Sequence, residues 1–278
     1  MNNYLWLIRR EFWERRAIWL VPAVISAMLI LLALFGRTQF ISDVPMESPY
    51  IAKVYLGFIG GLFLTIMMLY STLYLLDCLY DERRDRSVLF WKSLPISDTD
   101  TVLSKLLVGV IAIPLVSLVA ADVTSLIVAF IVSLRARSMV GGALWDGSTW
   151  LQIQALWIYV IVTAAIWYLP VAGWCMMVSA WVKRAPMFWS VLPLLVIYLI
   201  ERFFLGTHYL ASVLGHRLGG YTHAAFHGSW NGTEVTATAW KFIDIEGFFG
   251  NPATWIGLAV GAAMIVAAIQ MRMRRTEI

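Results

Sequence analysis

The sequence has 278 residues, of which 60% are hydrophobic and only 14% are charged, with a net charge of +4 and 14 tryptophans. Soluble chains carry roughly 45–50% apolar and about 25% charged residues, so a water-soluble fold of this size has nowhere to hide the apolar surface. Composition therefore excludes an ordinary cytosolic enzyme or a nucleic-acid-binding domain and points to a bilayer, with Trp and Tyr forming interfacial belts.

Residues 3–16 read as an amphipathic helix lying in the membrane interface. Leu5, Trp6, Ile8, Phe12 and Trp13 share one arc of the helical wheel, while Arg10, Glu11, Glu14 and Arg15 fill the other. Arg10–Glu14 and Glu11–Arg15 have the i,i+4 spacing of helical ion pairs. Arg9 and Arg16 interrupt the apolar arc and must snorkel. Arginines precede the first long apolar run and no small-residue cleavage site follows it, so the first span is expected to remain in the mature chain.

Spanning the hydrocarbon needs roughly 20 apolar residues. Six regions qualify: 17–36, 54–78, 106–134, 153–182, 187–205 and 253–270. The third and fourth exceed the requirement and contain Pro114 and Pro170 as kink points. The fifth ends in Glu201 and Arg202, where a turn is expected. With the N-terminus inside, the inner segments carry 14 Lys and Arg against 7 outside. That bias places both termini in the cytoplasm. It leaves a charged inner loop at 79–105 and an external segment at 206–250 that is rich enough in Tyr, Trp and Leu to form short helices. The predicted fold is a single all-α transmembrane domain covering 1–278.

Neither a P-loop nor a Gly-x-Ser-x-Gly or His-Glu-x-x-His motif occurs. The chain is therefore read as a non-enzyme without its own cofactor, drawing energy from an ion gradient or another polypeptide. Cys78 and Cys175 fit no zinc or redox spacing and read as small buried hydrophobes. His208, His216, His223 and His227 all fall in 206–250. His223 and His227 are spaced i,i+4, but no carboxylate or Cys sits beside them to complete a metal site. Asp122, near the middle of the third span, is the clearest ionisable residue at membrane depth. It either makes a buried hydrogen bond to a Ser, Thr or backbone carbonyl of a neighbouring helix or lines a translocation path. An ion-coupled transporter or channel using Asp122, or a membrane-embedded enzyme using the external histidines, are the alternative functions.

The inner loop is the most informative stretch. Its charged run, Glu82-Arg83-Arg84-Asp85-Arg86, leads into Phe90-Trp91-Lys92-Ser93-Leu94-Pro95, and Ser97 or Asp98 is placed to cap the next helix. A solvated loop has no use for Trp91, which either inserts into the membrane interface or plugs a pocket on a partner, and aromatic anchors ringed by charge are what a docking element needs. This stretch resembles the loop between the second and third spans of ABC-2-type permeases, the transmembrane subunits of a class of ATP-binding-cassette exporters. The resemblance extends to the layout of interfacial helix, six spans, cytosolic coupling helix and external helices. It implies a multi-pass protein of the bacterial inner membrane that pairs with a second copy or a homologous permease. Each permease would dock on a separate ATPase subunit holding ATP and Mg, with membrane lipids as surroundings and no role for nucleic acid. It assigns ATPase coupling to Glu82, Arg83, Arg86, Phe90, Trp91, Lys92, Leu94, Pro95 and Asp98. An amphipathic or hydrophobic cargo, such as a lipid, peptide or antibiotic, fits the scarcity of charges in the spans.

Overall fold

The computed structural model describes residues 3–36, 48–85, 97–136, 147–227 and 243–274. Helices make up the regular structure of these residues, apart from one antiparallel bridge between Phe226 and Ile243. Six helices are long and apolar enough to cross a membrane, and the chain is a multi-pass all-α membrane protein.

Helix α1 (Asn3–Glu14) is followed after two residues by α2 (Ala17–Phe35). Helix α3 (Ser48–Arg84) runs back alongside α2. Helices α4 (Asp98–Leu107) and α5 (Ile113–Ala136) are joined through a π-helical turn, Val108–Ala112, into one rod. Helix α6 (Gly147–Trp167) is followed by α7 (Leu169–Trp181) and α8 (Pro186–Ile200), which ends in a second π turn, Glu201–Leu205. Short helices α9 (Tyr209–Gly219), α10 (Tyr221–Ala225) and α11 (Ile245–Gly250) precede the last span, α12 (Pro252–Arg274).

The breaks in the long rods have local causes. Pro170 lacks an amide hydrogen and its ring opposes the carbonyl one turn back. The fourth span therefore splits at Tyr168, whose φ and ψ are −88° and 8°. Pro114 acts one turn further back. The Ile113 amide reaches Val108 O, leaving Gly109 O facing Pro114, which has nothing to donate. The Ser71 hydroxyl of α3 donates to Gly109 O instead. That bond joins the widened turn to the neighbouring helix.

Rod α4–α5 begins at Asp98 with Ser97 as N-cap, its Oγ accepting from the Asp100 amide at 3.0 Å. Residues 98–105 thus belong to the rod, and 79–84 to α3. The segment between the two helices is correspondingly shorter than 79–105. At the other end, Arg135 Nη1 donates to Ala33 O at 2.5 Å and to Gly36 O at 3.0 Å. A cation thereby covers the free carbonyls at the C-terminus of α2.

Helices α7 and α12 approach each other closely at Gly173 and Gly261. A Cβ at Gly261 would meet Leu169 C at 2.8 Å and Pro170 N at 2.9 Å. Lipid supplies no hydrophobic drive between helices, so this backbone-to-backbone approach through small residues holds the pair. Gly57 in α3, by contrast, has open space where a Cβ would stand. Gly261→Ala is expected to lower stability by about 1–3 kcal/mol because backbone cannot move aside. Gly57→Ala should raise it by roughly 0.5–1 kcal/mol. Unfolding of the purified variants in one detergent measures both.

Candidate functional site: a buried charge network

Charges gather where α1, the end of α3, the start of α4 and the end of α12 meet. Glu11 is fully buried. Its Oε1 is 2.5 Å from Lys105 Nζ and 2.8 Å from Arg10 Nη2, and its Oε2 accepts from the Tyr74 hydroxyl at 2.8 Å. Glu82 Oε1 is 2.9 Å from Arg10 Nη2 and 3.1 Å from Lys105 Nζ, while Oε2 is 2.7 Å from Arg272 Nη1. Arg272 Nε donates to Asp98 Oδ1 at 2.8 Å. Three carboxylates, Glu11, Glu82 and Asp98, thus face three cations, Arg10, Lys105 and Arg272.

Beside this network, Arg15 Nη2 pairs with Asp81 Oδ2 at 2.8 Å, and its guanidinium lies 5.5 Å from the centroid of the Tyr74 ring. Arg83 donates to the carbonyls of Ser179 and, at 2.9 Å, of Val182, at the C-terminus of α7. Ser179 Oγ accepts from the Leu79 and Tyr80 amides. Beneath lies the main apolar core, including Ile18, Met67, Leu75, Cys78, Val102, Cys175, Met176 and Ala268.

Helix α1 buries parts of both arcs: Leu7 and Glu11 are buried, and Ile8 and Phe12 pack on the main core, while Trp6 and Trp13 remain 56% and 73% exposed. Sequence spacing suggests Glu11–Arg15. The structure instead draws Glu11 to α4 and Arg15 to α3, and of the two i,i+4 pairs it forms Arg10–Glu14, at 3.5 Å. Burial pushes the Glu11 carboxyl up. Lys105 and then Arg10 outweigh burial and hold it below the usual carboxylate value.

The coupling residues taken from the family resemblance divide. Glu82 and Asp98 both bind Arg272, and Arg83 binds α7. Arg86, Phe90, Trp91, Lys92, Leu94 and Pro95 lie outside the described residues. The partners Arg10, Glu11, Lys105 and Arg272 were missed as site residues. They register in the sequence only as interfacial or flanking charge. The one available signal was a Lys and an Arg standing inside the ends of otherwise apolar helices.

Asp122 stands apart, in α5. Its Oδ1 accepts from Gln154 Nε2 at 2.5 Å and from Trp150 Nε1 at 3.3 Å, both on α6. A recess lined by Leu56, Ile59, Gly60, Ala121 and Trp157 beside it has room for about one water. The carboxylate is a cross-helix acceptor.

The opposite end of the bundle is tied differently. Tyr159 OH donates to Ala225 O at 2.8 Å, Trp167 Nε1 to Arg217 O at 2.8 Å and Tyr168 OH to Leu218 O at 3.2 Å. Glu201 carboxylate oxygens accept from the Tyr209 amide and, at 2.8 Å, from the Leu210 amide, which caps α9. His227 lies beyond α10, so its spacing from His223 does not place the two on one helical face; it faces Asp244 at 3.2 Å. Among the described residues no group of His, Cys, Asp and Glu is arranged to hold a metal ion.

No family model, curated protein or solved structure matches this chain.

Two outcomes follow from the geometry. Glu11 has a depressed folded-state pKa. Its contribution to stability is complete above the unfolded value of about 4.3 and is lost as pH falls below it. Thermal stability in detergent should therefore fall on acidification through that range, and Glu11→Gln should flatten the profile there. At the second position, Asp122→Asn keeps an acceptor and should unfold like the parent. Asp122→Leu leaves two donors unanswered and should cost about 1–3 kcal/mol. A normally folded Asp122→Asn that loses transport would instead assign Asp122 to a translocation path.

Proposed function

We propose that this chain is the transmembrane subunit of an ATP-binding-cassette exporter of the ABC-2 permease type. Two such subunits form the pathway, each docked on a separate ATPase that binds ATP and Mg. The charged end of the bundle faces the cytoplasm of a bacterial inner membrane, which agrees with the two-to-one excess of Lys and Arg on that side. The cargo is amphipathic or hydrophobic.

The observation that carries this reading is the way segment 86–96 is mounted. It leaves α3 just after Glu82 and enters α4 just before Asp98, and both carboxylates bind one guanidinium, that of Arg272. Glu82 also joins Arg10 of α1 and Lys105 of α4. Force applied to the segment therefore reaches four helices through short, buried, charge-assisted bonds. A loop that merely connected two spans has no need of such a mount, whereas a coupling element does. Phe90, Trp91 and Leu94 supply the apolar anchors for the ATPase groove, with Arg86 and Lys92 at its rim.

Trp91→Ala should weaken ATPase binding by about 30-fold, the ratio given by roughly 2 kcal/mol at a central anchor. Lys92→Ala should act more weakly and with more salt dependence. Arg272→Gln should leave ATPase docking intact but separate hydrolysis from transport. Co-purification and ATP hydrolysis in proteoliposomes read all three. Wild-type binding, hydrolysis and transport in Trp91→Ala would remove the coupling role and the main support for the exporter reading.

A further inference from the structure

The four arginines of the N-terminal segment divide into two pairs. Arg10 and Arg15 turn inward and are neutralised by Glu11, Glu82 and Asp81. Arg9 and Arg16 turn outward, are exposed, and pair with no carboxylate among the described residues. Arg9 is not loose. Its guanidinium lies 5.5 Å from the Trp6 ring centroid and 5.1 Å from that of Trp13.

Trp6, Arg9, Trp13 and Arg16 follow the three-and-four spacing that puts residues on one helical stripe. Trp19, 55% exposed, continues it onto α2 and packs on Phe12 at 5.3 Å between centroids.

Neither water nor hydrocarbon suits this stripe. Water would face three exposed indoles, and hydrocarbon would face two unpaired guanidinium groups. The headgroup layer suits both, because indoles settle at that depth and guanidinium groups bind phosphate through paired donors. Depth is fixed independently, since α2 enters its apolar run immediately after Arg16.

We infer that the Trp6–Arg9–Trp13–Arg16 stripe is a docking surface for the phosphate headgroups of anionic membrane lipids. Charge complementarity selects the lipid: the unpaired charge on the stripe is positive, and the nearest carboxylate of the helix, Glu14, is turned to Arg10. Stacking between two rings holds the Arg9 fork ready, so little side-chain freedom remains to be lost on binding. The opposite face of α1 carries Glu11, which binds Lys105. Lipid contact and the charge network therefore share one helix.

The test uses the full chain in bilayer nanodiscs containing either brominated phosphatidylglycerol or brominated phosphatidylcholine, with quenching of Trp fluorescence as the readout. Quenching by the anionic lipid should exceed that by the zwitterionic one. Arg9→Gln and Arg16→Gln should each reduce the preference about fivefold, the ratio that ~1 kcal/mol per surface arginine corresponds to. Added salt should reduce it as well. Arg9→Lys with Arg16→Lys should retain most of it, which separates charge from folding. Equal quenching by the two lipids in the parent chain, or an unchanged preference in the double Gln variant, would overturn the assignment.

Discussion

Burying an ion without a partner is the constraint on which the charged end of this bundle depends. Glu11, Glu82 and Lys105 have almost no contact with solvent, and removing one member of such a set costs about 3–5 kcal/mol because its partner stays charged and unpaired. The network therefore works only when complete. Its members come from residues 10–11, 82, 98, 105 and 272, so the first helix and the last span are held by the same bonds. Glu82 is the hub. It meets Arg10, Lys105 and Arg272, and through Arg272 it meets Asp98. Replacing the whole set by apolar side chains would spare the desolvation penalty, but it would also remove the directional bonds that fix which helix faces which.

The two ends of the bundle answer one requirement in different ways. Backbone and charge near lipid must be satisfied internally. At the charged end, ions answer ions. At the far end, where α9, α10 and α11 leave carbonyls free between short helices, hydroxyls and indoles answer them. Tyr159, Trp167 and Tyr168 each reach a carbonyl of α9 or α10, and the Tyr221 hydroxyl lies 2.8 Å from Thr163 Oγ1. An amphipathic aromatic can fill apolar space and still carry a donor. The high Trp and Tyr content serves packing here as well as the interface.

Single residues and contiguous runs were legible in the sequence, and pairings across the bundle were not. Runs of about 20 apolar residues announce spans, and Pro170 announces a break because its chemistry acts on its own helix. Pro114 was legible as a kink point, but the π turn that results from it rests on Ser71, a residue of another helix. The amphipathic arcs of α1 were visible, yet their sense depends on surroundings. Here the bundle offers Lys105 and Glu82, so Arg10 and Glu11 turn inward beside Leu7, Ile8 and Phe12, and Trp6 and Trp13 are left outside. Asp122 was visible as an anomaly, and only the fold supplies Gln154 and Trp150 as its donors.

The discontinuities in the rods have a position that bears on motion. Ser71, which holds the π turn at Gly109, is eleven residues from Glu82 and eleven from Gly60, which lines the recess beside Asp122. Along α3 that contact is about 16 Å from Glu82 and about 16 Å from the Asp122 layer, whereas on its own rod the turn begins three residues after Lys105 of the charge network and ends ten residues before Asp122. A rod fixed at both levels and weakened between them bends at the weak point, and a π turn is a recognised place for that. Under the proposed function the charge network would move with the ATPase as a unit, since its bonds are too costly to break one at a time. Displacement would then be taken up at Val108–Ala112 and at the Tyr168 break, and would change the separation of α5 and α6 where Gln154 meets Asp122. The same carboxylate that looks like a structural tie in this conformation would then also report the state of the bundle, because its bonds span the gap that bending opens.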